Sequence, residues 1–143
     1  MIKETSSTKA YSILQQSENA VLIDVRSTAE YEYVGHPKNA IHIAIKEPPT
    51  WKTSSNFVSN VERALAEKFA CVDNPLFDIC LHSEIFLICR SGKRSGEAAL
   101  LLGAKNFKNI FNIADGFEGD KDKNNHRSVL NGWRFNKLPW EQG

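Results

Sequence analysis

Apolar residues fall along this chain in two rhythms, compact runs and helical spacings, and the two alternate. Ala20 to Val25 (AVLIDV), Ile85 to Ile88 and Asn109 to Ile113 are short runs bounded by turn residues, the pattern of strands buried on both faces of a sheet. Ile41, Ile43 and Ile45 alternate with His42 and Ala44 and predict a further strand, stopped by Pro48 and Pro49. Helical spacings lie between them. Ala10, Tyr11, Ile13 and Leu14 predict a helix over Thr8 to Gln16. Val58, Val61, Leu65 and Phe69 share one face of another over Asn56 to Cys71, with Ser55 as its N-cap. Ser27 and Glu30 make a capping box for a short helix to Tyr33, which Gly35 to Asn39 breaks. Ala98, Leu101 and Leu102 carry a last helix, with Gly103 as its C-cap. Asp73 to Pro75 reads as a turn, and the segment on to Glu84 fits no pattern well.

Strands alternating with helices predict an α/β fold with a largely parallel sheet, whose ligands gather at the carboxyl ends of the strands. No internal repeat or linker divides the 143 residues, so residues 1–143 are expected to form one domain. Trp133, Leu138 and Trp140 are expected to anchor the tail onto its body.

Composition narrows the classes of partner. With 41% hydrophobic and 24% charged residues the chain has the make-up of an ordinary globular protein. Its 18 Lys and Arg against 17 Asp and Glu leave a net charge of +1, so no global field favours nucleic acid or an anionic membrane. The first residues lack a secretory apolar core, and no stretch approaches the roughly 18 apolar residues of a spanning helix. The default location is the cytoplasm. Cys71, Cys80 and Cys89 are an odd count without CxxC spacing, which fits neither a disulfide framework nor a zinc knuckle. No metal or cofactor site is expected. Asp120, Asp122 and Asn124 mimic the opening of a calcium loop, but Asn125 and Asn131 stand where that loop needs glycine and glutamate.

The chemistry concentrates in Cys89, Arg90, Ser91, Gly92, Lys93, Arg94 and Ser95, between the strand Ile85 to Ile88 and the helix that follows. A strand-to-helix turn aims backbone N–H groups at one point, and the helix N-terminus adds positive potential. Three cations within five residues should lower the Cys89 pKa below its free value of about 8.5 and favour the nucleophilic thiolate. Gly92 allows the tight turn, and Ser91 and Ser95 can donate hydrogen bonds or cap the helix. Consecutive loop residues cannot all point inward, so two of Arg90, Lys93 and Arg94 are expected to face the pocket.

These residues resemble the single-domain rhodanese-like sulfurtransferases. The likeness rests on CRSGKRS, on IDVRSTAEYEYVGHPKNAIHI (Ile23 to Ile43) and on ADGFEG (Ala114 to Gly119), in the family's order and across most of the chain. It implies an open, mainly parallel five-stranded sheet flanked by helices on both faces, one strand more than the apolar pattern supplies. It also implies sulfur transfer through a Cys89 persulfide, from thiosulfate or a persulfide donor to a thiol or cyanide acceptor, protein thiols included. Arg90, Lys93 and Arg94 would hold the anionic donor, and backbone N–H groups from Arg90 to Ser95 would stabilise the sulfur.

Cys89 to Arg94 is six residues, one fewer than the cysteine-x5-arginine cradle of the related phosphatases, and Ile88 stands before the cysteine. A single sulfur atom needs less room than a phosphoryl group with three equatorial oxygens. A cysteine-dependent phosphatase or arsenate reductase is therefore the second reading, and a persulfide carrier or interaction module without turnover is the third. Asp24, Arg26 and Glu30 match the family's upstream polar group and are expected to form a structural ion pair joining two loops. His36 and His42 read as hydrogen-bonded structural residues, His126 and Arg127 as exposed, and Cys71 and Cys80 as core. The chain departs from the family pattern at Glu47 to Glu84, at Asp115 where a second glycine is frequent, and at Asp120 to Asn131. The two long segments are expected to be surface elaboration; a rim that selects substrate is the alternative.

Overall fold

A computed structural model describes residues 2–71 and 77–143; the turn expected at Asp73 to Pro75 lies outside them. The elements are β1 (Ile2–Thr5), α1 (Ser7–Gln16), β2 (Ala20–Asp24), a π-helical turn (Glu30–Val34), β3 (His36–Pro37), β4 (Ile41–His42), α2 (Phe57–Phe69), α3 (Phe77–His82), β5 (Glu84–Ile88), α4 (Lys93–Gly103), β6 (Asn109–Ile113) and β7 (Trp140–Glu141). Five strands form one sheet in the order β1-β6-β5-β2-β4, every pairing parallel. β3 and β7 make a separate antiparallel ribbon. Among the described residues no helix is long and apolar enough to cross a membrane.

The central strands explain the continuous apolar runs. Val21, Ile23, Ile85 and Leu87 face a core closed by Val61, Leu65, Ala98 and Leu102 of α2 and α4. Their neighbours Leu22, Phe86 and Ile88 face the other side, against Ala10 of α1, Phe117 and Trp133. Alternate side chains thus enter two cores, and neither face of β2 or β5 meets water.

The fifth strand of the sheet is β1, which the apolar pattern missed. Its sequence IKET has no buried apolar run, because an edge strand is held mainly by backbone pairing, here Ile2 to Thr5 along Ile110 to Ile113. Other differences are local. The strand expected over Ile41 to Ile45 pairs only as Ile41–His42; Ile43 and Ile45 donate single hydrogen bonds to the Asp24 and Val25 carbonyls as the chain peels away. The ambiguous segment before Glu84 ends in α3. Asn56, not Ser55, occupies the α2 N-cap, with its N–H bound to Ser54 Oγ at 3.2 Å. Gly103 belongs to α4, whose cap is Ala104, and packs beside Ile2. The capping box forms, with Ser27 Oγ donating to Glu30 at 2.8 Å, but it opens a π-helical turn. Cys71 and Cys80 are core residues as expected. Contrary to the spacing argument they are also paired, with Cα atoms 6.3 Å apart, because α2 and α3 pack against one another.

This topology places a crevice. The chain leaves β2 toward β4 on one side, and leaves β5 toward β6 on the other, so the carboxyl ends of β2 and β5 border a topological switch point. Arg26 follows one strand there and Cys89 the other.

Candidate active site

Cys89 is the first residue after β5 and is only 1% exposed. Its Sγ accepts a hydrogen bond from the Gly92 N–H at 3.1 Å and lies 3.2 Å from Ser95 Oγ. Gly92 has φ +99° and serves as the N-cap of α4 without any side-chain cap, so the first N–H groups of that helix have no side-chain partner at the cap. A helix N-terminus with such groups and its share of the macrodipole stabilises negative charge on the adjacent sulfur.

The loop's shape is imposed by the turn after β6. Phe117 N–H binds the Cys89 carbonyl at 2.8 Å, and Glu118 and Gly119 N–H groups bind the Arg90 carbonyl at 3.0 and 3.2 Å. Both carbonyls are drawn away from the sulfur. Gly116 approaches so closely that a Cβ there would stand 2.4 Å from the Arg90 oxygen. Asn112 braces the other end: its amide nitrogen donates to the Gly92 carbonyl at 3.1 Å and to Glu4 at 3.0 Å, which leaves its Oδ1 facing Ser95 Oγ. Asn112 Oδ1 and Cys89 Sγ therefore compete for the single hydroxyl proton of Ser95. A thiolate draws that proton toward sulfur; a thiol can donate to Ser95 Oγ while the Ser95 hydroxyl donates to Asn112 Oδ1. Asp115, the departure from the frequent glycine, takes Ser7 N–H at 2.8 Å and Gly132 N–H at 3.1 Å, tying the turn to α1 and the tail.

Beside the loop, bordered by its Arg90 and Arg94 but not by the buried Cys89, lies a cavity of about 590 Å³ whose other lining residues include Ser27, Glu30, Val34, Pro48, Trp51 and Glu118. Arg90 and Arg94 border it, and Lys93 is exposed and does not. Of the two that border the cavity, Arg90 has no ion pair or side-chain hydrogen bond to another described residue. Arg94 grips Glu30 in a two-pronged ion pair at 2.7 and 2.8 Å. Burial acts to raise the Glu30 pKa, but hydrogen bonds and charge from Arg94, with help from Ser27, outweigh it and lower it to about 2. The hydrogen bond to Glu30 likewise raises the pKa of Arg94.

The remaining sequence candidates support this frame. Arg26 is fully buried, chelates Asp24 at 3.0 and 2.7 Å, donates to the Gly35 carbonyl at 2.6 Å and stacks over Phe117. Its Nη1 is the one buried side-chain polar atom without a partner among the described residues. The pair expected to join two loops is instead Glu30–Arg94. His36 binds the Tyr31 carbonyl at 2.9 Å and His42 the Arg26 carbonyl at 2.7 Å, with Tyr31 stacked on both rings. His126 is exposed and Arg127 donates to the Gly119 carbonyl, so neither borders the cavity. Asp122 accepts from the Asn124 and His126 N–H groups, the signature of a turn. The Ser91 hydroxyl makes no hydrogen bond to the sulfur, which has Gly92 N–H and Ser95 Oγ as partners.

Sequence reasoning missed Asn112, whose signal was a polar side chain inside the apolar run NIFNI. It also did not single out Pro48 and Trp51, from the start of the segment Glu47 to Glu84, which border the cavity. Glu47 explains why, since its carboxylate binds the Thr28 N–H and hydroxyl and pulls that segment over the mouth. No residue of Asp120 to Asn131 borders the cavity.

A parallel five-stranded sheet with a cysteine at the switch point, followed by a glycine turn into a helix, defines a protein of the rhodanese class. The chain belongs to that family: the rhodanese-like domain matches residues 7–123. A Rickettsia rickettsii protein known as an uncharacterized RP600 homolog is 35% identical, covering 98% of each chain. The thiosulfate sulfurtransferase GlpE of Haemophilus influenzae is 28% identical, over 82% of this chain and 86% of its own. Rv0390 of M. tuberculosis superposes with a TM-score of 0.76 at 27% identity, over 99% and 98% of the two chains. The family relation thus reaches sulfurtransferases at a distance.

Proposed function

We propose that the protein is a sulfurtransferase carrying a sulfane sulfur on Cys89. The observation behind this reading is the Cys89 sulfur held by the Gly92 N–H, beside the Ser95 hydroxyl, at the uncapped start of α4. In the first half-reaction the Cys89 thiolate attacks the outer sulfur of thiosulfate or of an organic persulfide. The donor's S–S bond breaks, its electron pair leaves with sulfite or the thiolate, and a Cys89 persulfide remains. In the second half a thiolate or cyanide attacks the outer sulfur, departs as a persulfide or thiocyanate, and restores the Cys89 thiolate. A preformed thiolate needs no general base, which accords with the structural bonds of His36 and His42.

Arg90 and the N–H groups at the start of α4 receive the negative charge of donor and leaving group. Arg94 supports them through its fixed position against Glu30. Intact-mass analysis after incubation with thiosulfate or an organic persulfide tests the reading. Wild type should gain one sulfur atom, lose it to cyanide as thiocyanate, and Cys89→Ala should do neither. Turnover of an aryl phosphate with no sulfur gained from any donor would replace this reading with the phosphatase one.

A further inference from the structure

The mouth of the Cys89 loop is poorly matched to a small dianion. Of its ionisable neighbours, Arg94 is bound to Glu30, and Glu118 lies 3.8 Å from Arg134. Of the ionisable residues that border the cavity, Arg90 is the one with no ion pair or side-chain hydrogen bond to another described residue, so one positive charge awaits the ligand. Part of the lining is apolar. Val34, Pro48 and the indole of Trp51 form it, and Trp51 is 46% exposed despite its size.

That wall is held in place. Trp51 has φ +53°, a left-handed conformation rare for a bulky side chain, and its N–H binds the Glu47 carbonyl at 2.9 Å. The Glu47 carboxylate is fastened to Thr28, Lys46 bridges to Thr53, and the Ser54 N–H returns to the Ile45 carbonyl at 2.8 Å. The Arg94 guanidinium sits 6.0 Å from the Trp51 ring, which links the wall to the loop.

We infer that Trp51 is a specificity-determining residue that selects monoanionic sulfur donors carrying an apolar organic group, the group packing on the indole while Arg90 meets the charge. The inference rests on the sulfurtransferase reading and names the donor class for the same site. Aromatic thiosulfonates provide a matched probe. Benzenethiosulfonate gives its outer sulfur to the Cys89 thiolate as thiosulfate does; the S–S bond breaks and benzenesulfinate leaves with the electron pair in place of sulfite. The two donors differ in charge and in the aryl group.

The experiment measures kcat/KM for benzenethiosulfonate and thiosulfate, with cyanide as acceptor, in wild type, Trp51→Ala and Trp51→Phe. Wild type should favour the aryl donor. Trp51→Ala should lower the aryl-to-inorganic ratio about tenfold or more, chiefly through KM, and Trp51→Phe should restore most of it. A wild-type preference for thiosulfate, or an unchanged ratio in Trp51→Ala, overturns the inference while leaving sulfur transfer intact. Failure of both donors to load Cys89 in wild type overturns the sulfurtransferase reading itself, and this inference with it.

Discussion

Glu30 illustrates how one side chain serves two loops. It closes the capping turn through Ser27 and clamps Arg94 at the far side of the mouth. Its folded pKa, about 2, lies below its ordinary value of 4.5, so the carboxylate binds protons less readily in the folded chain. Its contribution to stability is therefore complete above pH 4.5 and is lost as pH falls toward about 2. Thermal midpoints of wild type and Glu30→Gln should differ by a constant amount from neutral pH down to 4.5 and converge below it. A difference that ignores pH would mean that the ion pair adds nothing to folding. The sequence made Glu30 visible through its spacing from Ser27, but not its partner, which is 64 positions away.

Among the elements, the β5–α4 unit was the most legible. An apolar run, a glycine and a helical spacing in succession mark a strand, a turn and a helix without outside help. Glycine was expected there for the tight turn; what the run could not reveal is the close approach of Ala114, whose carbonyl oxygen would stand 2.4 Å from a Cβ on Gly92 at φ +99°. Gly92→Ala should lower stability by about 1–3 kcal/mol or more and abolish sulfur loading of Cys89. Gly96→Ala is the control inside α4. Its Cβ would meet only Asn112 Nδ2, at 3.5 Å, and alanine there should match or exceed wild-type stability in denaturant melts. Equal losses in the two variants would contradict the geometric argument.

For the molecule as a whole, the tail belongs to the fold even though the rhodanese-like match ends at residue 123. Trp133 is 1% exposed, meets Tyr11 of α1 edge-on at 5.8 Å and donates its indole N–H to the Pro139 carbonyl. The chain then returns to pair β7 with β3 beside the capping turn. Trp133→Ala should cost about 3–5 kcal/mol of unfolding free energy, measured by chemical denaturation. A loss under about 1 kcal/mol would show that the tail is dispensable packing.

The sequence by itself determined the alternation of strands and helices, the identity of Cys89 and its cationic loop, and the family. Those properties depend on neighbours along the chain: apolar period, turn residues, and charges a few positions from a sulfur. Tertiary structure decided which charges remain available and what surrounds them. Arg94 is neutralised by Glu30, Ser95 of α4 reaches the sulfur while Asn112 of β6 meets the Ser95 hydroxyl, β1 exists through its partner strand, and Trp51 borders the mouth in a segment that Glu47 fastens to Thr28. Each of these is a contact between distant positions, and a local pattern carries no record of the partner that chain folding brings to it.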